Sequence, residues 1–476
     1  MMRIAAWLSL LAMMLPGSLA YAQSPYGNRG VYGYPPPMPA SSGPSEPYFV
    51  PRDEPAPREM APTTQSIEQV GRRAAARREA VCEPAPVFDA CPPAEPYTLY
   101  EGKRYLAEEK QDCTHIWGQA SYIHWWIRRD STPPLLTTGD PNNPRAGTLG
   151  FADTVTLLGN GPIAPNQFNG IETSLGMWLD DERLQSLEVG GFWVGKLSRN
   201  YRFASDGTGS PVLAQPVLVG GVEQSLQLAA PTLYAGNFVV NASTEFYGAE
   251  LNFARNTFRY NHWTLDLFGG LRYLYLSDAL SINQTLNVLD AGTGFVPFNG
   301  TPQPSGSTFL FNDSFAVTNR FYGGQLGARV NFAFCNFDLG AVAKLGMGAT
   351  THTVYIDGST TLNDINGNST TLRGSTLAQA SNIGRFTSND FSFVPELIAT
   401  AGYQLTPHLR LMVAYNLLYW TRVERAGNQI DRNIDFTQVP TSPTFVPGSF
   451  GTRPLFPNTR TDFWASGINV GVELRY

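Results

Sequence analysis

The chain has 476 residues, and its 33 Lys and Arg against 39 Asp and Glu give a formal net charge of −6. Only 15% of its residues are charged and 42% are hydrophobic, whereas a soluble domain carries about 25% charged residues. This composition excludes a coiled coil and a largely disordered chain. It argues against a nucleic-acid partner, which would need a basic balance.

The N-terminal segment has the features of an export signal. Arg3 precedes an apolar stretch over 4–15, and Ala20–Ala22 forms an A-x-A cleavage pattern. We therefore predict a signal peptide over 1–22. Beyond it, no apolar run reaches the ~20 residues that a membrane helix needs.

A polar tail follows over 23–96. Its first part, 24–62, is rich in Pro, Gly and Ser and is typical of an extended linker. A short basic helix is predicted over 65–80. We expect the tail to lie in the periplasm, and the arginines of this helix are candidates for contact with an anionic envelope polymer.

The chain has four cysteines, Cys82, Cys91, Cys113 and Cys335. Their spacing lacks the two close pairs of a zinc site, so we expect disulfides in an oxidising compartment. A Cys82–Cys91 bridge closes the shortest loop, but all three pairings stay open. No metal or cofactor is expected.

The remainder, 97–476, alternates with the period of two that strands require. In 263–276 one face carries Leu265, Leu267 and Leu271, and the other carries Asp266 and Arg272. Ten such strands are predicted, at 116–127, 170–179, 186–203, 238–255, 263–276, 319–334, 337–355, 390–404, 409–424 and 463–476.

Long and short connections alternate without exception between these strands. This arrangement is typical of an all-β, antiparallel, up-and-down transmembrane barrel with short periplasmic turns and long extracellular loops. With ten strands, both termini lie in the periplasm and the protein lies in the outer membrane of a diderm bacterium. A further hairpin over 147–158 would raise the number of strands to twelve.

The two faces have different predicted neighbours. The apolar face contacts outer-membrane lipid, the one expected partner besides the tail polymer, through Leu265, Leu267, Leu271, Leu411, Val413, Val470 and Val472. Aromatic residues at the strand ends should form interface girdles, namely Trp125, Tyr273, Tyr275, Tyr419 and Trp464 outside and Trp263 and Tyr476 at the periplasmic side.

The polar face should line the lumen. Its candidates are Glu250, Asp266, Arg272, Arg329, Asp338, Lys344, Glu396 and Arg410, joined by Glu172, Glu188, Glu473, Lys196 and Arg475. Acids and bases nearly balance, which favours cross-strand ion pairs over an ion-selective pore. Ten strands also enclose little space, since eight are already filled by side chains. A narrow or plugged lumen is therefore expected.

Catalysis is the weakest of the hypotheses. His352, with Asp357 nearby in sequence, would suit a hydrolase at the outer rim, but a girdle histidine explains it more simply. No nucleophile-elbow, H-E-x-x-H or P-loop pattern occurs. We expect no enzymatic activity.

Several segments are distinctive: 124–139 (HWWIRRDSTPPLLTTG), 174–195, 245–256, 267–276, 319–329 and 381–435. They resemble the seventh putative beta-barrel porin family over roughly 114–476. The resemblance implies an outer-membrane barrel and a porin-like pore for small solutes. The alternative from the lumen composition is a narrow or plugged barrel with a structural or surface-interaction role.

Overall fold

A computed structural model describes residues 115–290 and 296–476. Ten long strands form one antiparallel sheet in which each strand pairs with the next, and β10 pairs back onto β1 with Trp117 opposite Arg475. The predicted barrel of ten strands is confirmed. The strands are β1 Ile116–Ile127, β2 Gln167–Trp178, β3 Gln185–Ala204, β4 Tyr234–Tyr260, β5 Trp263–Val288, β6 Thr308–Phe334, β7 Phe337–Asn363, β8 Gly384–Thr406, β9 Leu409–Glu424 and β10 Arg460–Arg475.

The connections fall into two classes at opposite ends of the barrel. Short turns join the strands at one end, the short-turn end, and long loops join them at the other, the long-loop end. The turns are 179–184, 261–262, 335–336 and 407–408. The start of β1 and the end of β10 also meet at the short-turn end, where Ile116 N donates to Tyr476 O at 2.8 Å.

The alternative of twelve strands is wrong. Val155–Leu158 pairs with Leu136–Thr138 in a small separate sheet that also contains the hairpin Leu213–Val219 and Val222–Ala229. These strands are too short to span a bilayer, which needs about nine to eleven residues. They belong to the long loops, together with the short strand Ser369–Arg373 and the 3-10 turns Gly427–Gln429 and Phe436–Gln438.

Strands β4 to β7 extend well past the predicted limits. They have 26 or 27 residues each, which at a tilt of ~40° is roughly 70 Å along the axis, against an apolar belt of ~25 Å. Most of the additional length lies at the long-loop end. Because a bilayer covers only part of such a barrel, the two halves of each long strand have different surroundings.

The apolar face changes side along these strands. In the short-turn half of β5, Leu267 and Leu271 point outward and are 49% and 64% exposed. In the long-loop half, Leu280 and Ile282 are buried inside the barrel, and the outward residues are polar except for Ala279. The first half therefore has the surface of a membrane protein, and the second half has the core of a soluble one.

The predicted signal peptide, the tail and its basic helix lie outside the described residues. Within the described residues, no helix is long and apolar enough to cross a bilayer.

Candidate functional site: the barrel lumen

The short-turn half of the lumen holds a buried charge network. The guanidinium of Arg272 lies 2.6 Å from Glu396, and both side chains are under 5% exposed. Lys344 Nζ lies 2.8 Å from Glu250 and 3.7 Å from Glu396. Lys344 and Glu396 lie opposite each other on the neighbouring strands β7 and β8. The pairs Arg272–Glu396 and Lys344–Glu250 instead join strands three apart, so they connect wall positions that the sheet does not pair.

A second group of charges lies nearer the short turns. Arg329 donates to both carboxylate oxygens of Glu188, at 2.9 and 2.6 Å, and lies 3.8 Å from Asp266. Arg410 pairs with Asp338 and, at 2.8 Å, with Glu473.

The structure thus brings all eight predicted lumen candidates into ion pairs. Four of them are buried, Asp266, Arg272, Glu396 and Arg410, and four are half-buried, Glu250, Arg329, Asp338 and Lys344. Between Glu172, Glu250, Glu396, Arg272 and Lys344 remains a cavity of about 40 Å³. This is room for only a few water molecules.

The predicted lipid-facing residues point away from the lumen. Six are between 37% and 64% exposed, and Leu265 is half-buried by its neighbours. The six are Leu267, Leu271, Leu411, Val413, Val470 and Val472.

The predicted orientation of two side chains, Lys196 and Trp125, is wrong. Lys196 is exposed instead of lining the lumen, because β3 has a bulge here: Gly195 has φ +53° and the pairing with β4 shifts between Glu245 and Tyr247. Such an extra residue moves the following side chains to the other face. Trp125 is 1% exposed and donates to Asn469 Oδ1 at 2.7 Å inside the barrel, so it is not a girdle residue.

An aromatic layer crosses the lumen above the charge network. Trp125, Phe246, Phe321, Trp420 and Phe463 come from strands around the whole barrel, and each is at most 1% exposed. The rings of Phe246 and Phe463 lie 4.9 Å apart, and those of Phe321 and Trp420 lie 6.1 Å apart. Side chains of the wall itself therefore close the lumen at this level.

Beyond the aromatic layer, long loops fold into the barrel and form a plug. Leu213, Val217 and Leu228 of the hairpin 213–229 pack in one buried cluster with wall residues such as Ile282. Gln284 of β5 donates to Gln215 of the hairpin at 2.9 Å. The sequence predicts a narrow or plugged lumen but does not identify the loop that fills it.

A buried ion pair fixes the plug to the wall. Arg425, just after β9, pairs with Asp278 of β5, and both side chains are 2% exposed. Thr244 also donates to Asp278, at 2.6 Å, and Arg425 donates to Arg128 O at 3.0 Å. Asp130 accepts from Gly427 N at 2.6 Å beside this pair, and burial raises the pKa of Asp130 to about 7.

Sequence reasoning missed this ion pair. Asp278 is a charged residue in a stretch whose other alternate positions, such as Leu280 and Ile282, are apolar. An acid on an otherwise apolar face is a signal for a buried partner, but the partner is distant in sequence.

The structure does not bring His352 and Asp357 together. His352 is fully buried, with Nδ1 2.8 Å from Asn319 Oδ1 and Nε2 3.3 Å from Asp390. Asp357 lies on the outer face, where Tyr355 donates to it at 3.3 Å. The odd spacing of the two residues on one strand places them on opposite faces.

Cys335 lies in the turn 335–336 and is disulfide-bonded. The other three candidate cysteines lie outside the described residues. In the described ranges, no group of three or more His, Cys, Asp and Glu is arranged to hold a metal ion.

A closed antiparallel ring with short turns at one end, an apolar outer belt and a charged interior defines an outer-membrane β-barrel. The family model described as Putative beta barrel porin-7 matches residues 117–476, so the chain belongs to that family. No curated protein matches this chain.

The fold is similar in outline to solved outer-membrane barrels. The protease OmpT from Escherichia coli is 11% identical with a TM-score of 0.36, over 76% of this chain and 97% of that chain. The toluene transporter TodX of P. putida is 9% identical with a TM-score of 0.17, over 77% and 91%. Such low scores carry no information on activity.

Proposed function

We propose that this protein is a closed outer-membrane barrel whose long loops form a surface-exposed cap for structural or interaction roles. The observation that supports it is the filled lumen. A charge network, an aromatic layer and a loop plug follow one another along the axis.

A diffusion pore needs a continuous path of water. The cavity of about 40 Å³ in the charge network ends at the aromatic layer, where Phe246, Trp420 and Phe463 are fully buried. Even without the loop plug, these wall side chains fill the cross-section. A barrel of ten strands has little room for both side chains and solute.

The orientation in the membrane belongs to the same proposal. Outer-membrane barrels have short periplasmic turns and longer external loops. The short-turn end, where β1 begins, β10 ends and the disulfide-bonded Cys335 lies, is then periplasmic. Accessibility of a cysteine introduced at exposed Phe450 to an impermeant label on intact cells tests this, because labelling only after lysis would contradict it.

Conductance in a planar bilayer tests the closed state. The wild-type protein, with its fold verified by heat-modifiable migration, should give no conductance steps, and a known open porin inserted in the same bilayer serves as the positive control. Regular steps from the wild-type protein would reject a closed lumen.

Passive diffusion of small solutes is the second candidate, and the charged, water-accessible cavity favours it. Passage would require both the plug and the aromatic layer to move. Removing 213–229 and replacing Trp420 by Ala should then produce conductance, whereas removing 213–229 alone should not. If the double change stays silent while folded, the pore function is dropped.

We also propose that the tail contacts an anionic polymer of the envelope through the arginines of 65–80. Its support is the basic composition of that segment. Deleting 24–80 should abolish co-sedimentation of the purified protein with isolated envelope polymer, and unchanged co-sedimentation would reject this role.

A further inference from the structure

The barrel wall has a seam between β8 and β9 at the long-loop side of the apolar belt. Their backbone pairing runs from Thr406 opposite Leu409 to Glu396 opposite Leu418 and ends there. The remaining part of β8, from Pro395 back to Gly384, stays paired with β7, and Gly384 lies opposite Ile356. Over this part, the described structure pairs its backbone with β7 alone.

Local sequence explains why the pairing ends. Pro395 precedes Glu396 in the chain and is the next residue toward the long-loop end. Proline has no N–H to donate to a neighbouring strand. On β9, Thr421 and Arg422 form a bulge in the pairing with β10, and Arg422 has φ +57°. A bulge bends the strand that carries it, and beyond this one Val423 and Glu424 pair with β10.

Side chains bridge the seam where the backbone does not. Phe393 N donates to Thr421 Oγ1 at 2.9 Å. Arg460 of β10 pairs with Asp390 of β8 and donates to Ser388 Oγ at 3.3 Å. Polar side-chain contacts thus replace a ladder of backbone hydrogen bonds.

The outer surface of the seam is aromatic. Phe391 and Phe393 are 56% and 45% exposed, with their rings edge to face at 5.3 Å. Tyr419 of β9 and Trp464 of β10 are 36% and 38% exposed on the same outward face. This surface continues the apolar belt and reaches the level of a bilayer interface, where such rings are enriched.

Two exposed arginines lie beside this aromatic surface, since Arg422 directly follows Thr421, the partner of Phe393, and Arg128 N donates to Trp464 O at 2.9 Å. Arg128 Nη1 donates to Asp462 O at 2.7 Å, and Arg422 N donates to Asp462 Oδ1 at 3.4 Å. Among the described residues, neither guanidinium lies in an ion pair. Paired neighbouring strands are ~4.8 Å apart, so the part of the patch from β9 to β1 is about 10 Å wide.

We propose that this seam binds an anionic lipid of the leaflet on the long-loop side. The headgroup phosphate lies against Arg128 and Arg422, and an acyl chain lies against Phe391 and Phe393. Cations beside an exposed apolar surface are complementary to an anionic amphipath, whose charged headgroup adjoins its acyl chains.

Lipid titration followed by native mass spectrometry tests the headgroup contact. The full-length protein is delipidated in detergent and titrated with phosphatidylglycerol or phosphatidylcholine. The R128Q/R422Q variant should bind phosphatidylglycerol about 30-fold more weakly, since each basic group near an anionic lipid contributes roughly fivefold. Its binding of phosphatidylcholine should stay the same.

The matched control is R199Q/R202Q, which removes two exposed arginines of β3 and should leave both affinities unchanged. Equal losses in the two variants, or no loss in either, would overturn the proposal. Displacement of phosphatidylglycerol by millimolar inorganic phosphate would overturn it too, by showing a site for free anions. Heat-modifiable migration verifies the fold of each variant.

A second pair of variants tests the acyl contact. F391S/F393S should weaken the binding of both lipids about tenfold, because two half-exposed rings offer roughly one side chain of apolar surface. Y322S/L326S, which changes exposed residues of β6 at the same belt, should leave affinity unchanged. An equal effect of both pairs would place lipid binding on the belt in general and reject the seam.

Discussion

The change of the apolar face along β5 predicts opposite responses to the same substitution on one outer surface. Leu267 points outward in the belt and is 49% exposed. Leu267→Arg should cost about 2–4 kcal/mol, the cost of Arg at the bilayer midplane. Ser281 points outward on the same strand but beyond the belt. Ser281→Arg should change stability by less than about 0.5 kcal/mol, as for most surface substitutions.

A substitution at Ile282, the inward-facing neighbour of Ser281, completes the test. Ile282 is fully buried in the plugged half, so Ile282→Ala should cost about 2–5 kcal/mol through lost burial and a residual cavity. In a barrel that is apolar outside and wet inside along its whole length, the same change would be nearly neutral.

Reversible urea unfolding from phospholipid vesicles, followed by tryptophan fluorescence, gives the free energy of unfolding for all three variants. Ser281→Arg should lower the free energy of unfolding far less than Leu267→Arg or Ile282→Ala. A cost for Ser281→Arg equal to that for Leu267→Arg would show that lipid covers the whole strand. The two-part description of the barrel would then be wrong.

Three other changes probe the buried charges by the same unfolding measurement. Asp278→Asn leaves Arg425 unpaired in the plug and should cost about 3–5 kcal/mol, and a cost below 1 kcal/mol would show that the pair is wet. Glu396→Gln should destabilise through Arg272 in the same way, whereas an unchanged midpoint would contradict a buried network. Because burial raises the pKa of Asp130 from 3.8 to about 7, its contribution to stability is complete below pH 4 and is lost as pH rises through 7. Asp130→Asn should remove that part of the pH dependence, and an unaltered pH profile would exclude Asp130 as its source.

Features that depend on local rules were predictable from the sequence. The period of two identified every strand of the ring, and the alternation of connection lengths identified its topology. The odd spacing of His352 and Asp357 already implied opposite faces. The extra length of β4 to β7 was not predictable from a single apolar face, because the apolar residues of these strands change face along their length. In 277–288 the alternation continues, but Leu280 and Ile282 replace the odd-numbered apolar residues of 263–276.

Other features needed the folded chain. HWW at 124–126 puts two tryptophans on opposite faces, and only closure against β10 places Trp125 inside with Asn469. The inward path of the hairpin 213–229 depends on apolar wall residues that come from strands distant in sequence.

The sequence by itself therefore determined an outer-membrane barrel of ten strands, because strand period and turn length are local properties of a chain. Tertiary structure alone decided which side chains and which loop fill the lumen, and that the wall has a seam. Whether an apolar face meets lipid, a neighbouring loop or the opposite wall depends on what lies across the barrel, and that is set only when the ring closes.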